Sequence, residues 1–268
     1  MKRQLWNLMQ TLSPHLSSEV VLRRLTRPPR RAPRPWEDAA VAEATPVDTG
    51  ERHFGWAWGQ AGQPRVLLVH GFGGRASQMG VIGQACAKAG LHALAFDGPA
   101  HGTSKDRSTD PFEFAEALLL MGREWGPFEA VVGHSFGGGC VLLAALQGLP
   151  SKRLVFMAAP SHPRIFIERR GIRSATRARV HAALQRKHGS LERFQDADIA
   201  RLERPALVLH DEEDRWVPHL EGQRLARLLP KARLEHLRGV GHFGMLRDER
   251  TVSMVVDFSV SRPKARRD

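Results

Sequence analysis

Continuous apolar runs alternate with segments of helical periodicity over most of the chain, which predicts strands that alternate with helices. The run at residues 65–70 is typical of a strand buried on both faces of a sheet. Alternating residues over 41–58 predict an antiparallel pair, with 60–64 as its turn. Strands are predicted at 65–70, 91–96, 130–132, 153–159, 206–210 and 233–237, and helices at 76–89, 111–125, 140–146, 219–229 and 247–258.

This order of elements predicts the α/β fold class, with a mostly parallel sheet covered by helices on both faces. Four segments lie outside the alternation. Residues 1–26 predict an amphipathic helix, and the Arg/Pro-rich residues 27–35 predict an extended linker, since proline neither continues a helix nor donates to a sheet. Residues 161–204 predict a cap, and residues 262–268 a frayed basic tail.

The cap is predicted as three short basic helices, at 164–167, 180–184 and 191–199, without a strand. The remaining chain forms the core. The predicted organisation is therefore an extension at 1–36, a core at 37–160 and 205–261, a cap at 161–204 and a tail at 262–268. We expect the extension to pack on the core, and the alternative is a peripheral contact with a membrane.

The formal net charge is +12, and it is unevenly distributed. Residues 1–36 carry +7, residues 161–204 carry +6 and residues 262–268 carry +3, so the rest of the chain is net −4. Nucleic-acid binders gather such charge on a recognisable module, and none is present here. We expect a solvated basic surface and no nucleic-acid partner, with weak attraction to an anionic membrane through the extension as the alternative.

Compartment and redox state follow from what the 268 residues contain. No apolar run approaches the roughly 18 residues of a membrane-spanning helix, and residues 5–10 are too short and interrupted for the apolar core of a signal peptide. We therefore expect a cytoplasmic protein. Cys86 and Cys140 both lie in apolar helical patterns, which predicts two buried free thiols.

Residues 133–137, Gly-His-Ser-Phe-Gly, join an apolar strand to an apolar helix. They fit G-x-S-x-G, the sharp strand-to-helix turn that presents a serine nucleophile. Glycines are needed there because the strand and the helix approach each other closely. The pentapeptide alone also occurs by chance, so Ser135 needs a base and an orienting acid elsewhere in the chain.

Both partners are available in loops after later strands, where an α/β sheet presents its site. The strand ending at His210 is followed by four carboxylates at 211–214, and the strand ending near Leu237 is followed by His242. Thirteen histidines are present in all. His134 lies beside the serine and His236 within a strand, while His70 and His210 close strands.

Residues 50–258 resemble the α/β-hydrolase superfamily, specifically single-domain serine esterases with a small cap. Residues 210–218 match the family's acid loop at Asp214, Val217 and Pro218, although Asp211 stands where glycine is usual. His242 has the family's G-x-G-H-F setting. The resemblance implies an eight-stranded, mostly parallel sheet flanked by helices, and a triad of Ser135, Asp214 and His242.

Acyl transfer also needs N–H donors for the developing oxyanion. One is expected from the Phe136 amide, directly after the serine. Residues 70–74 resemble the family's H-G-x-G-G loop, which implies the Phe72 amide as the second donor. Residues 97–104 resemble its D-x-x-G-H-G-x-S loop, an architectural element. The glycines at 71–74 match neither G-x-x-x-x-G-K-[ST] nor G-x-G-x-x-G, the two glycine-rich motifs that bind nucleotide phosphates. We expect no cofactor and no metal.

The resulting hypothesis is a serine hydrolase acting on small-molecule carboxylic esters with small or medium acyl groups. Acyl transfer, thioester hydrolysis, perhydrolysis and carbon–carbon bond hydrolysis use the same triad and stay open. A non-catalytic ligand-binding protein on this scaffold is a further alternative.

Overall fold

The computed structural model describes residues 2–48, 54–162, 165, 172–189 and 195–260. Eight strands form one sheet in the order β1-β2-β4-β3-β5-β6-β7-β8. Their bounds are β1 Thr45–Asp48, β2 Phe54–Trp58, β3 Arg65–Val69, β4 His92–Phe96, β5 Phe128–His134, β6 Ser151–Met157, β7 Ala206–Asp211 and β8 Ala232–Leu237.

The sheet is parallel from β4 to β8, and β1 and β2 add an antiparallel edge. The predicted α/β fold with a mostly parallel sheet is therefore confirmed. Strand β5 lies between β3 and β6, with Val69 opposite Gly133 and Gly133 opposite Phe156. The carboxyl ends of these strands consequently meet at one edge of the sheet, where a ligand site is expected in this fold class.

The antiparallel pair predicted over 41–58 is present as β1 and β2. The predicted turn was wrong, because residues 60–64 lead from β2 into β3, and β2 pairs with β4 instead. The residues that join the pair, 49–53, lie outside the described residues.

Ten α-helices are described in these parts of the chain. They are α1 Lys2–Leu12, α2 Pro14–Thr26, α3 Pro35–Val41, α4 Gly80–Lys88, α5 Pro111–Trp125, α6 Phe136–Leu146, α7 Ser174–His188, α8 Asp196–Ile199, α9 His219–Leu228 and α10 Glu249–Val260.

The helix predicted over 1–26 is two helices, because proline in a helix interior clashes with the preceding turn. Pro14 instead begins α2, and the Ser13 Oγ accepts a hydrogen bond from the Leu16 amide at 3.4 Å. The helix predicted over 76–89 begins with a 3-10 turn at Ala76–Met79 before α4. Helix α3 was not predicted, since its seven residues follow the proline-rich linker directly.

The predicted cap helix at 180–184 is part of the longer helix α7. The helix predicted at 191–199 appears as α8 from Asp196, with residues 190–194 outside the described part. The helix predicted at 164–167 and the tail at 262–268 also lie outside it, apart from residue 165.

The core has one layer on each face of the sheet. Helices α5, α6 and α9 pack on one face, around Phe96, Phe114 and Phe136, and α4 and α10 pack on the other. Val21 of α2 and Val180 of α7 join the first layer, so both the extension and the cap rest on the core. Cys86 and Cys140 are free and buried, as predicted, and burial raises the pKa of the Cys86 thiol to about 12.

Candidate active site

Ser135 occupies the corner between β5 and α6. Its φ of 54° and ψ of −123° are rare for a residue with a side chain, and such strain is typical of functional positions. The corner is held by a hydrogen bond from the Ser135 amide to the Met157 carbonyl at 2.8 Å. A Cβ on Gly133 would lie 2.6 Å from the Gly138 Cα, so the flanking glycine is required by the close approach of strand and helix.

His242 lies between Ser135 and Asp214. Its Nε2 is 2.9 Å from the Ser135 Oγ, and its Nδ1 is 2.7 Å from the Asp214 Oδ2. The structure thus brings together three residues that are separated by up to 107 positions in the chain. A hydroxyl, an imidazole and a carboxylate joined by hydrogen bonds in this order are the arrangement that serine catalysis needs.

The Asp214 side chain is fully buried, and its second oxygen is fixed by the main chain. The Oδ1 accepts hydrogen bonds from the amides of Trp216 at 2.7 Å and Val217 at 3.0 Å. Burial alone raises the pKa of Asp214, but the hydrogen bond and charge of His242 and the two amides outweigh it and lower the pKa. Asp214 is therefore held as a carboxylate aimed at His242.

Asp211, at the position where glycine is usual in the resembling family, connects the two loops. Its buried Oδ2 accepts from the Val240 and Gly241 amides at 2.8 and 2.9 Å, directly before His242. Its Oδ1 accepts from the Glu213 amide at 2.8 Å, directly before Asp214. Burial raises the pKa of Asp211, but these three amides outweigh it. Sequence analysis considered Asp211 only as one of four candidate acids.

Asp211 is therefore a positioning residue, and replacing it should misplace His242. We expect Asp211→Ala to lower kcat by about 10- to 100-fold with little change in KM, because small displacements of catalytic groups have effects of this size. Asp211→Asn keeps one acceptor oxygen and should recover part of the rate. Glu213→Ala, which removes an exposed neighbouring carboxylate, is the control. Steady-state kinetics with equal kcat for Asp211→Ala and Glu213→Ala would contradict this role.

His134 supports His242 from the other side. Its ring is buried, and its Nε2 donates to the His242 carbonyl at 2.8 Å. Burial and the nearby His242 lower the pKa of His134 to about 3, so this ring is neutral at physiological pH. The hydrogen bond from the His134 Nε2 fixes the main chain at residue 242 and occupies that ring nitrogen.

The loop after β3 lies against the nucleophile. A Cβ on Gly71 would be 3.2 Å from the Ser135 Cβ. The loop closes as a turn, with the Gly74 amide bonded to the Gly71 carbonyl at 2.9 Å and Gly73 at a φ of 71°. The rings of Phe72 and Phe136 meet edge to face, with centroids 5.4 Å apart. The assignment of their two amides as oxyanion donors stays a prediction.

The loop at residues 97–104 is held by hydrogen bonds to the segment that follows the 70–74 loop. The buried Asp97 carboxylate accepts from the Ala76 amide at 2.8 Å and the Thr103 amide at 2.7 Å, which joins this loop to the start of the 3-10 turn. Within the described residues, no group of three or more His, Cys, Asp and Glu side chains is arranged to hold a metal ion.

Two exposed aromatic side chains border the site, and sequence analysis missed both. Trp216 is 67% exposed and Phe243 is 47% exposed. Their ring centroids are 5.5 Å apart, and the His242 ring lies 4.9 Å from Phe243 and 6.2 Å from Trp216. The available signal was position, because Trp216 follows Asp214 by two residues and Phe243 follows His242 directly. We call this pair the aromatic rim.

The fold and this arrangement define a class of hydrolytic enzymes. The sequence profile of the alpha/beta hydrolase family matches residues 66–254, which is well over half of the chain and includes all three of Ser135, Asp214 and His242. The chain belongs to the alpha/beta hydrolase family.

Individual relatives are more distant. A 2-succinyl-6-hydroxy-2,4-cyclohexadiene-1-carboxylate synthase of Escherichia fergusonii is 35% identical over 95 residues, which cover 34% of this chain and 36% of that protein. The chain thus matches about a third of the length of this curated relative.

Two solved structures share the fold. A bacterial membrane phospholipase A has a TM-score of 0.66 at 18% identity and covers 96% of this chain and 98% of its own. A 2-hydroxy-6-oxo-6-phenylhexa-2,4-dienoate hydrolase from a Rhodococcus strain has a TM-score of 0.62 at 18% identity, with 81% of this chain and 97% of its own covered.

Among the described residues, none of the helices combines the length and the apolarity that crossing a bilayer takes.

Proposed function

We propose that this protein hydrolyses carboxylic esters of small or medium acyl groups through an acyl-enzyme on Ser135. The observation that supports this function best is the continuous hydrogen-bond chain from the Ser135 Oγ through His242 to the buried Asp214. A serine hydroxyl is a weak nucleophile at neutral pH, and such a chain is how it becomes reactive.

In the proposed reaction the Ser135 Oγ attacks the ester carbonyl while its proton passes to the His242 Nε2. Asp214 stabilises the imidazolium that forms and fixes the ring. The Phe72 and Phe136 amides stabilise the oxyanion, in the roles predicted above. His242 then gives the proton to the departing alcohol, which leaves the acyl group on Ser135. Water attacks this ester, again with His242 as base, and the acid is released as the proton returns to Ser135.

The aromatic rim is evidence that the substrate carries an apolar acyl or alcohol group. The exposed rings of Trp216 and Phe243 both contact the His242 ring. Exposed apolar surface beside reactive groups is typical of binding grooves. Burying this surface against an acyl or alcohol chain would contribute free energy in proportion to the area removed from water.

Truncating the rim should therefore affect longer esters more than short ones. We expect Trp216→Ala to lower kcat/KM for p-nitrophenyl octanoate by about tenfold, and for p-nitrophenyl acetate by less than about twofold, because hydrophobic contacts discriminate by chain length on this scale. Leu120→Ala, which removes an exposed apolar side chain on α5, is the matched control. Equal losses for both esters would argue against the rim as the acyl-binding surface.

Wild type and Ser135→Ala should be compared on p-nitrophenyl esters from acetate to octanoate. Esterase activity that depends on Ser135 supports the proposal, and equal rates for the two proteins would reject it.

Hydrolysis of a carbon–carbon bond is the second candidate, because the Rhodococcus hydrolase shares the fold. Turnover of 2-hydroxy-6-oxo-6-phenylhexa-2,4-dienoate, the compound in that enzyme's name, separates the two. A kcat/KM for this compound far above that for every ester would favour the second candidate.

A further inference from the structure

Helix α1 turns its apolar side toward solvent. Leu5, Leu8 and Leu12 are 61%, 53% and 74% exposed, and Leu16 at the start of α2 is 55% exposed. At 3.6 residues per turn, the three leucines of α1 fall within about 60° of one another around the helix axis. Single exposed leucines are ordinary, but three on one side of a helix, with a fourth at the start of the next helix, are the kind of patch that marks an interaction site. We call these four residues the leucine stripe.

The opposite side of the same helix packs on the protein, with the half-buried Trp6 against the core layer. Gln10 is 1% exposed, and its Oε1 accepts a hydrogen bond from the Arg173 amide at 2.8 Å, at the start of the cap helix α7. Ser17 of α2 is fully buried, and its Oγ donates to the Met9 carbonyl at 3.1 Å. A helix packed only to cover a core buries its apolar side. Here the packing of Trp6 and the hydrogen bonds of Gln10 and Ser17 hold α1 with its three leucines facing outward.

The two helices that carry the leucine stripe are anchored to the rest of the protein. Val21 of α2 lies in the core layer that also contains Val180 of α7, so the second helix of the extension is anchored to core and cap together. Arg24 of α2 lies 5.7 Å from the centre of the Trp6 ring, a cation–π contact between the two helices. Helix α1 is therefore fixed along one side, and its leucine side is exposed in the described part of the chain.

The charge around the stripe is positive. Residues 1–26, which hold α1 and α2, carry +3, and the linker brings residues 1–36 to +7. The exposed Arg173 donates to the Thr11 Oγ1 beside Leu12 at 2.5 Å. Arg23 and Arg24 are also exposed. A second copy of the chain on this face would bring two segments of +7 together across a two-fold axis, which like-charge repulsion opposes. Anionic lipid headgroups would instead neutralise the arginines while the leucines enter the acyl boundary.

We propose that the leucine stripe is a docking face for the surface of an anionic lipid membrane, along which α1 lies in the plane of the interface. This proposal goes beyond the ester chemistry and does not depend on it.

The test is cosedimentation of the full chain with vesicles of phosphatidylcholine alone or with about 30% phosphatidylglycerol added. We expect binding to the anionic vesicles that weakens with salt. The triple variant Leu5→Gln, Leu8→Gln, Leu12→Gln should bind at least about tenfold more weakly, because interfacial binding scales with buried apolar area. Leu120→Gln, which changes an exposed leucine on α5, should bind like wild type. Thermal melts verify that each variant folds.

Three results would overturn the proposal. The first is the absence of wild-type binding to anionic vesicles, and the second is equal binding by wild type and the triple variant. The third is a dimer in sedimentation velocity that the triple variant loses, without vesicle binding, which would assign the stripe to a second copy. None of these results depends on whether Ser135 hydrolyses esters.

Discussion

Ser135→Ala is expected to lower kcat/KM for a p-nitrophenyl ester by about 10⁴- to 10⁶-fold, the range seen when a nucleophile is removed from a serine triad. The variant loses the Oγ that lies 2.9 Å from the His242 Nε2, the atom that the proposed mechanism uses as nucleophile. The Cβ is kept, so the backbone at φ 54° meets the same steric demand in both proteins. Activity is measured under first-order conditions, since the residual rate is expected to be small.

Ser253→Ala is the matched control, because it removes an exposed hydroxyl on α10 that bonds only Asp257 at 3.3 Å. It should keep wild-type kcat/KM and an unchanged melting temperature. If Ser135→Ala folds and still turns over the ester at the rate of Ser253→Ala, Ser135 is not the nucleophile.

Asp214→Asn is expected to lower kcat by about 10⁴-fold, as when the triad acid is replaced by its amide. The Asp214 Oδ1 accepts two main-chain amides, so the asparagine oxygen must stay there and its NH₂ group must face the His242 Nδ1. That ring nitrogen must then accept, which puts the proton on Nε2, toward Ser135. In this tautomer His242 cannot take up the serine proton.

The comparison with Asp211→Asn separates the two buried carboxylates. Among the described residues, the Asp211 carboxylate accepts its hydrogen bonds from main-chain amides of the two loops. Asp211→Asn should therefore lose far less activity than Asp214→Asn. A larger loss of kcat for Asp211→Asn than for Asp214→Asn would contradict the assignment of Asp214 as the acid of the triad.

The parts of the fold that could be predicted from the sequence are those that depend on residues close together in the chain. The apolar run within 65–70 predicts a strand buried on both faces, and it forms β3. Ser135 could be singled out because its glycine neighbours answer a local steric need, which the short distance from Gly133 to Gly138 makes visible. Asp214 needed the resemblance to a family, since four adjacent carboxylates cannot be ranked by pattern alone.

The remaining features depend on contacts between distant segments. Periodicity places Leu5, Leu8 and Leu12 on one side of a helix, but the side that packs is decided by Gln10 and its partner Arg173, 163 residues away. Asp211 became informative only when its hydrogen bonds to the loop before His242 were visible. The aromatic rim likewise forms only when two loops separated in sequence meet.

The most direct test of the central claim is covalent labelling of the folded protein with a fluorophosphonate, followed by peptide mapping. An active serine triad predicts one adduct per chain, on Ser135, and a strongly reduced labelling rate in His242→Ala. Folded wild-type protein that stays unlabelled, or that is labelled at another residue, would contradict the assignment of Ser135, His242 and Asp214 as a working triad.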